Sequence, residues 1–423
     1  MEIELNTRMN AMSDIPAEEL TKQRWRRIEA AVNLEEPDKV PIELNFDYGF
    51  RAKWYGITTY EFFFDYNKAL EAIIKTAIDF PTDMPPIPLI GTGSLLGTAL
   101  RDHPDVSGLL SVLTGPIHDI LRDKYTKWPG RELPPNTGSF QYIGGEFLKP
   151  EEYDAFIKDP IKFIAEVAVP RAHKSLEKPG SAEAIATIAR VTLEGIKYFT
   201  FVDSLVKRLA EIGYPSLLGS IASVPLDFIG DHLRTIPGIL IDLRKVPEKV
   251  KEACNALMEI TLPQRVLAPK SQGFTLIPLH LNEYLSPKLY HEFYWPHLKR
   301  IINEFYKQGV KCQVAFEGRH DAYIENILEL PKKWGIALFE KTDVKKAKKI
   351  LEGHTCVMGG LPSTLLLNGT PSEIEKYVKD LLKEMMPGGG FILATSTPVP
   401  AETPPENVKA VIRTVEKYGV SKR

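Results

Sequence analysis

Short apolar runs alternate with stretches whose hydrophobic positions recur every three to four residues, and the alternation is most regular in the C-terminal part of the chain. FTLIPLHL (274–281) is followed by a Ser286-Pro287 start signal and an amphipathic stretch ending at Gly309. VKCQVAFEG, a helical pattern from about Asp321 to Lys333, GIALFE, DVKKAKKILEG, TCVMGGL, TPSEIEKYVKDLLKEMM and GFILATS then succeed one another. KVPIELNF (39–46) is an earlier run of the same kind. Runs bounded in this way predict strands buried on both faces, and the intervening patterns predict crossover helices, so the sheet should be parallel.

No glycine-rich phosphate fingerprint follows the first strand. Regular βα units without one favour a (β/α)8 barrel over a doubly wound sheet. GTGSLLG (91–97) comes after the proline-rich PTDMPPIPLI and reads as a loop. The expected organisation is a single barrel domain over 1–423, with an N-terminal helical extension over about 1–37. A loop-rich insertion over about 91–150 should cross the barrel mouth and cover a substrate.

The composition is that of an ordinary globular protein, 423 residues with 43% hydrophobic and 26% charged. A formal net charge of −2 without a basic block gives no footprint for nucleic acid or an anionic membrane. No run approaches the ~20 apolar residues of a membrane span. The polar start MEIELNTRMNAMSDIPAEEL lacks a signal-like apolar core, so the expected location is cytoplasmic. Cys254, Cys312 and Cys356 are too far apart for a CxxC motif and read as small core residues. A homodimer is compatible with the pattern.

RRIEAAVNLEEPDKVPIEL (26–44), LSPKLYHEFYWPHLKRI (285–301), GIALFEKTDVKKAKKIL (335–351) and GGGFILATSTPVPAETPPENVKAVIRTVEKYG (388–419), in this order and spacing, resemble the uroporphyrinogen decarboxylase superfamily. That superfamily includes decarboxylases and cobalamin-linked methyltransferases. The resemblance implies a (β/α)8 TIM barrel with its site at the C-terminal mouth. The decarboxylases carry an arginine-rich segment near the N-terminus for substrate carboxylates; NFDYGFRAKWYG offers only Arg51 and Lys53 there. Thiol-activating methyltransferases hold zinc with an HxCG motif and a later cysteine. The corresponding positions here read Ala315, Phe316, Glu317, Gly318 and Ala394, Thr395, Ser396, Thr397.

These departures are similar to those of the corrinoid-dependent O-demethylase methyltransferases, as are the segments 140–160 and 219–250. Glu317 takes the place of the first thiolate, and Glu340 falls where that branch often has a carboxylate near the metal. Both end apolar runs on successive βα units, so both should stand at the barrel mouth. Zinc held by Glu317, Glu340 and His280 is the implied site, with His320 as the next histidine to consider and His354 at the barrel's other end. Ion pairs with Arg319 or Lys341 are the alternative for the two glutamates. Glu317 and Asp83 are the candidate catalytic residues, Asp83 because it lies near the decarboxylases' central aspartate. Asn45, Asp47 and Tyr48 close the first strand and are the candidate substrate-binding residues.

The reaction implied is transfer of a methyl group from a methoxylated, aromatic compound to a cobalt(I) corrinoid carried by a partner protein. Either a Lewis acid at the ether oxygen or a proton delivered to it would release the phenolate. A decarboxylase of an aromatic or tetrapyrrole acid is the competing enzyme. A non-catalytic corrinoid- or tetrapyrrole-binding barrel is the reading from another class.

Overall fold

The computed structural model describes residues 15–265 and 273–421, so residues 1–14 of the N-terminal extension lie outside the described residues. Among these, a curled sheet of seven parallel strands forms the centre: β1 Ile42–Glu43, β2 Leu218–Ile221, β3 Phe274–Leu279, β4 Lys311–Phe316, β5 Gly335–Phe339, β6 Cys356–Leu361 and β7 Phe391–Thr395. Their spatial order is β1-β7-β6-β5-β4-β3-β2. The strands from 274 onward fall within the apolar runs that predicted them, because each run is short and buried on both faces.

An eighth strand was expected between β1 and β2. The chain there is the segment 81–90, which touches β1 through the amides of Asp83 and Met84, both bonded to the carbonyl of Ile42. Pro81, Pro85, Pro86 and Pro88 have no N–H to donate to a ladder. The stretch therefore fills part of the wall without becoming a strand. The pattern expected as a helix from Asp321 to Lys333 is a short 3₁₀ segment, Ile324–Glu329, with Pro331 just beyond it.

Helix α1 (Ala17–Val32) closes the bottom of the barrel. Its Ile28, Ala31 and Val32 pack with Ile336, Cys356, Met358, Ile392 and Ala394 from β5, β6 and β7. All three cysteines are buried, and burial pushes the Cys356 thiol up to about 12, as expected of inert core residues. A long helix, α2 (Ala182–Glu211), runs outside the wall, and α3 (Trp295–Lys307) lies against β4. A π-type turn at Tyr290–Tyr294 leads into α3, whose second residue, Pro296, cannot donate a helical hydrogen bond. No described helix is long and apolar enough to cross a membrane.

The segment 91–150 has more local structure than its composition suggested. Thr92–Gly93 pairs with Val112–Leu113, and Thr126–Lys127 with Gln141–Tyr142, both antiparallel. Buried His118 ties the segment together, its Nδ1 2.5 Å from Asp123 and its Nε2 3.3 Å from Glu132. The Tyr142 hydroxyl donates to the carbonyl of Asp231 and lies 2.8 Å from Nδ1 of His232, residues that follow β2.

Candidate functional site

Adjacent strands in this sheet are in register at their C-terminal ends: Leu279 pairs with Phe316, and Phe316 with Phe339. The next residues, His280, Glu317 and Glu340, therefore stand in a row across β3, β4 and β5. Side chains alternate along a strand. Leu276 and Gln313 line a hollow inside the barrel and Ile336 belongs to its inner packing, so steps of two place all three polar residues on the inward face. The three residues named from sequence as metal ligands are thus neighbours in the structure.

Gly318 fixes the turn after Glu317. Its φ of +65° is in the left-handed region, and a Cβ there would collide with Glu283. The turn aims the Gly318 amide at Glu340 Oε2, 2.5 Å away. Lys341 lies 4.0 Å from the other Glu340 oxygen and 3.8 Å from Glu283. Part of the ion-pair alternative thus holds for Glu340. For Glu317 the cationic neighbour is His280, with Nε2 3.8 Å from Oε1.

His280 is the best-supported side chain of the row. Its Nδ1 is 2.6 Å from Asp231 Oδ2, and its amide bonds to Asp227. Burial opposes charge on the ring. The Asp231 hydrogen bond and the charges of Asp231, Asp227 and Glu317 outweigh it and raise the pKa to about 10. His280 is therefore an imidazolium, with one N–H committed to Asp231 and the other facing Glu317. Burial, with Glu340, Asp231 and Glu283 nearby, pushes the Glu317 carboxyl up, against the pull of His280.

Asp227 and Asp231 did not stand out in the sequence. They lie four residues apart in PLDFIGDH (225–232), where a helical turn places both toward β3. Asp227 is buried and accepts hydrogen bonds from Tyr294 Oη at 2.5 Å and the Leu281 amide at 2.9 Å. Burial is the main reason its pKa rises to about 7. An acidic pair spaced by four directly after an apolar run was the available signal.

The zinc site expected from resemblance does not fit this arrangement. His280 Nδ1 is taken by Asp231, and one Glu340 oxygen by the Gly318 amide. Among the described residues no three His, Cys, Asp or Glu side chains are grouped to hold a metal ion. His320 is fully buried behind the row, against Phe316, Phe339 and Tyr323. His354 is buried at the other end, with Nε2 3.0 Å from the carbonyl of Leu330.

Asp83 is not brought to the mouth. Its carboxylate accepts hydrogen bonds from Arg27 of the bottom helix at 3.0 Å and from the Ile42 amide at the start of β1 at 3.1 Å. This is a clamp between the plug helix and the first strand, remote from the mouth row, and the contacts do not test the acid or base role expected of Asp83. Asn45, Asp47 and Tyr48 lie where β1 leaves the sheet. The Asp47 carboxylate abuts Gly138, and Tyr48 packs against Phe62, Phe63 and Phe140 while its hydroxyl donates to the carbonyl of Leu89. Asp47 and Tyr48 thus meet the insertion, and Asn45 borders a small hollow beside Arg51.

A curled parallel sheet with its polar row at the strands' C-terminal ends defines a TIM-barrel-like α/β protein. Residues 160–418 match the family model described as uroporphyrinogen decarboxylase (URO-D), and the chain belongs to that family. It is 26% identical to the uroporphyrinogen decarboxylase of Coxiella burnetii over 139 residues, 32% of this chain and 38% of that protein. It is 30% identical to the one from Anaeromyxobacter dehalogenans over 173 residues, 41% of this chain and 47% of that protein. The chain thus spans less than half the length of these curated relatives. The fold is similar to that of a methyltransferase from Methanosarcina mazei, with a TM-score of 0.60 and 14% sequence identity, covering 93% of this chain and 98% of that one.

Proposed function

We propose that this chain is a methyltransferase that takes a methyl group from a methoxylated aromatic compound and passes it to a cobalt(I) corrinoid carried by a partner protein. The observation that carries this reading is the charged His280, fixed by Asp231 and presenting Nε2–H at the barrel mouth beside Glu317. An aryl methyl ether is inert because phenolate leaves poorly. In the proposed step the methyl carbon bonds to the electron-rich cobalt of the carrier. The C–O bond breaks, its electron pair stays on oxygen, and His280 Nε2 supplies the proton that makes the leaving group a neutral phenol. Asp231 holds the ring in place and stabilises its charge. Glu317, as a carboxylate, holds the imidazolium before transfer and afterwards takes a proton from solvent and passes it to the neutral ring, a task suited to a carboxyl pushed above its ordinary range.

The route needs no thiolate, in keeping with glutamate at 317 and threonine and serine at 395–397. It also needs no Lewis acid built from this row.

A second reading draws on the decarboxylase relatives and on Arg51. That guanidinium is buried, and its Nε has no hydrogen-bond partner. A carboxylate seated there, once side chains moved to widen the hollow of about 10 Å³ beside it, would suit a decarboxylase of an aromatic or tetrapyrrole acid.

The test mixes the purified chain with reduced corrinoid protein and a panel of methoxybenzenes, methoxyphenols and methoxybenzoates, following methyl-cobalt absorbance and carbon dioxide together. Methyl-cobalt formation that is lost in His280→Gln supports the first reading. Carbon dioxide release without methyl-cobalt replaces it with the second.

A further inference from the structure

The wall of the barrel is open where the eighth strand is missing. A cavity of about 190 Å³ lies there, bounded inside the barrel by Glu43, Phe274, Leu276 and Gln313, and outside by Val206 and Ala210 of α2, with the proline stretch 85–88 along one side. Four polar side chains line it: Tyr214, whose hydroxyl is bonded to the Thr82 amide and the Ala77 carbonyl, the exposed Ser216, and the buried Glu43 and Gln313. Glu43 on β1 is 8% exposed and Gln313 on β4 is 7% exposed. The Gln313 amide has only a 3.9 Å contact to the sulfur of Met358, and the Glu43 carboxyl faces the cavity with no hydrogen bond from the protein.

We propose that this wall cavity is a binding site for a neutral aromatic ring carrying one hydroxyl group, which donates to Glu43 and accepts from the Gln313 amide. The site is separate from the mouth row and does not depend on the reaction proposed there. Size sets the first limit. A cavity of ~150 Å³ lined by aliphatic and aromatic side chains is enough for benzene, so this one takes a benzene ring with one or two small substituents. Lining chemistry sets the second. The walls are mostly apolar, the Tyr214 hydroxyl is already bonded within the protein and Ser216 is at the exposed rim, so Glu43 and Gln313 are the mostly buried polar groups left to meet a ligand, and such groups gain from a hydrogen bond made there.

Charge sets the third limit. A ligand carboxylate would meet Glu43 in an apolar setting. The nearest compensating cation is Arg51, which lines an adjoining hollow that shares Glu43, Met84 and Tyr214 with the cavity. That hollow has a volume of about 10 Å³, room for about one water and not for a carboxylate attached to a ring. A carboxylate on the bound ring therefore does not reach Arg51, and the ring is uncharged.

Calorimetry on the full chain without corrinoid tests this with three probes: 2-methoxyphenol, methoxybenzene and 2-methoxybenzoate. At pH 8, where Glu43 is ionised, the phenol should bind about tenfold more tightly than methoxybenzene, the worth of one hydrogen bond to a charged acceptor, and the benzoate more weakly than either. Glu43→Met should remove the preference for phenol while methoxybenzene still binds. Ala210→Phe, which fills the cavity, should abolish binding of both. Should that variant fail to fold, Val206→Trp on the partly exposed outer rim reads the same effect. Three results would overturn the proposal: no binding of any probe at millimolar concentration, affinities unchanged by the filling variants, or tightest binding by the benzoate with its loss in Arg51→Met.

Discussion

Asp231 Oδ2 lies 2.6 Å from Nδ1 of His280, and this contact sets the charge of the only histidine in the mouth row. The folded protein holds the ring's proton up to about pH 10, whereas an ordinary histidine releases it near 6.5. A raised folded pKa stabilises the native state fully below the unfolded value, and the stabilisation is lost as pH rises through the folded one. In Asp231→Asn the ring should titrate close to the ordinary histidine range, as followed by NMR of the imidazole. The melting-temperature gap between wild type and variant should be widest below pH 6.5 and close toward pH 10. An unchanged ring titration would remove Asp231 as the source of the charge.

Glu317→Gln preserves shape and removes the anion facing Nε2. If Glu317 recycles the proton, methyl transfer should fall by the ~10²–10⁴-fold typical of an acid–base group, most for the poorest leaving groups, with bound metal unchanged. If Glu317 only pairs with His280 at the rim, stability should change by about 0–1 kcal/mol and turnover should persist. A fall in bound metal parallel to activity would restore the carboxylate-zinc site that the geometry disfavours. Metal content, methyl-cobalt rate and melting temperature on this one variant separate the three outcomes.

The barrel and its row were legible because both follow from alternation. An apolar run ended by a carboxylate or histidine can be recognised from sequence alone, and register then sets His280, Glu317 and Glu340 side by side. Their partners were not legible, since Asp231 reaches His280 across 49 residues and Tyr294 reaches Asp227 across 67. Contacts of that range depend on how elements pack. Asp83 shows the same limit in reverse. Its likeness in position to the decarboxylases' central aspartate suggested acid or base work, but the prolines beside it prevent a strand, and the carboxylate is bound by Arg27 at the bottom. The wall cavity was equally hidden, because a missing strand leaves a space whose other walls come from α2 and β3.

Asp83→Asn tests the clamp. Arg27 is mostly buried and Asp83 almost completely so; Asp38 still pairs with Arg27 through Nε and Nη2, so the variant removes one charged hydrogen bond, worth about 2 kcal/mol. Chemical denaturation should show a loss of that order, while the rate per folded molecule and its pH profile stay as in wild type. An altered pH profile with intact stability would return Asp83 to the chemistry.

Glu43 gives the sharpest test of the barrel interior. Burial alone pushes its carboxyl up to about 7 from an ordinary value of 4.5. A raised folded pKa in an acid means that the folded state holds the proton longer than the unfolded chain. Its relative stabilisation is therefore present below pH 4.5 and lost as pH rises through 7. Above that, the ionised carboxylate must stay in an apolar cavity at a cost of about 3 kcal/mol, taking 1.4 kcal/mol per pKa unit. Glu43→Gln should melt at a higher temperature than wild type at pH 8, and the advantage should shrink steadily toward pH 5. Adding 2-methoxyphenol should narrow the gap at pH 8, because its hydroxyl solvates the carboxylate in wild type. A variant no more stable than wild type at pH 8 would mean that Glu43 is already compensated in the free protein, and the wall cavity would lose the unmet hydrogen bond on which its ligand depends.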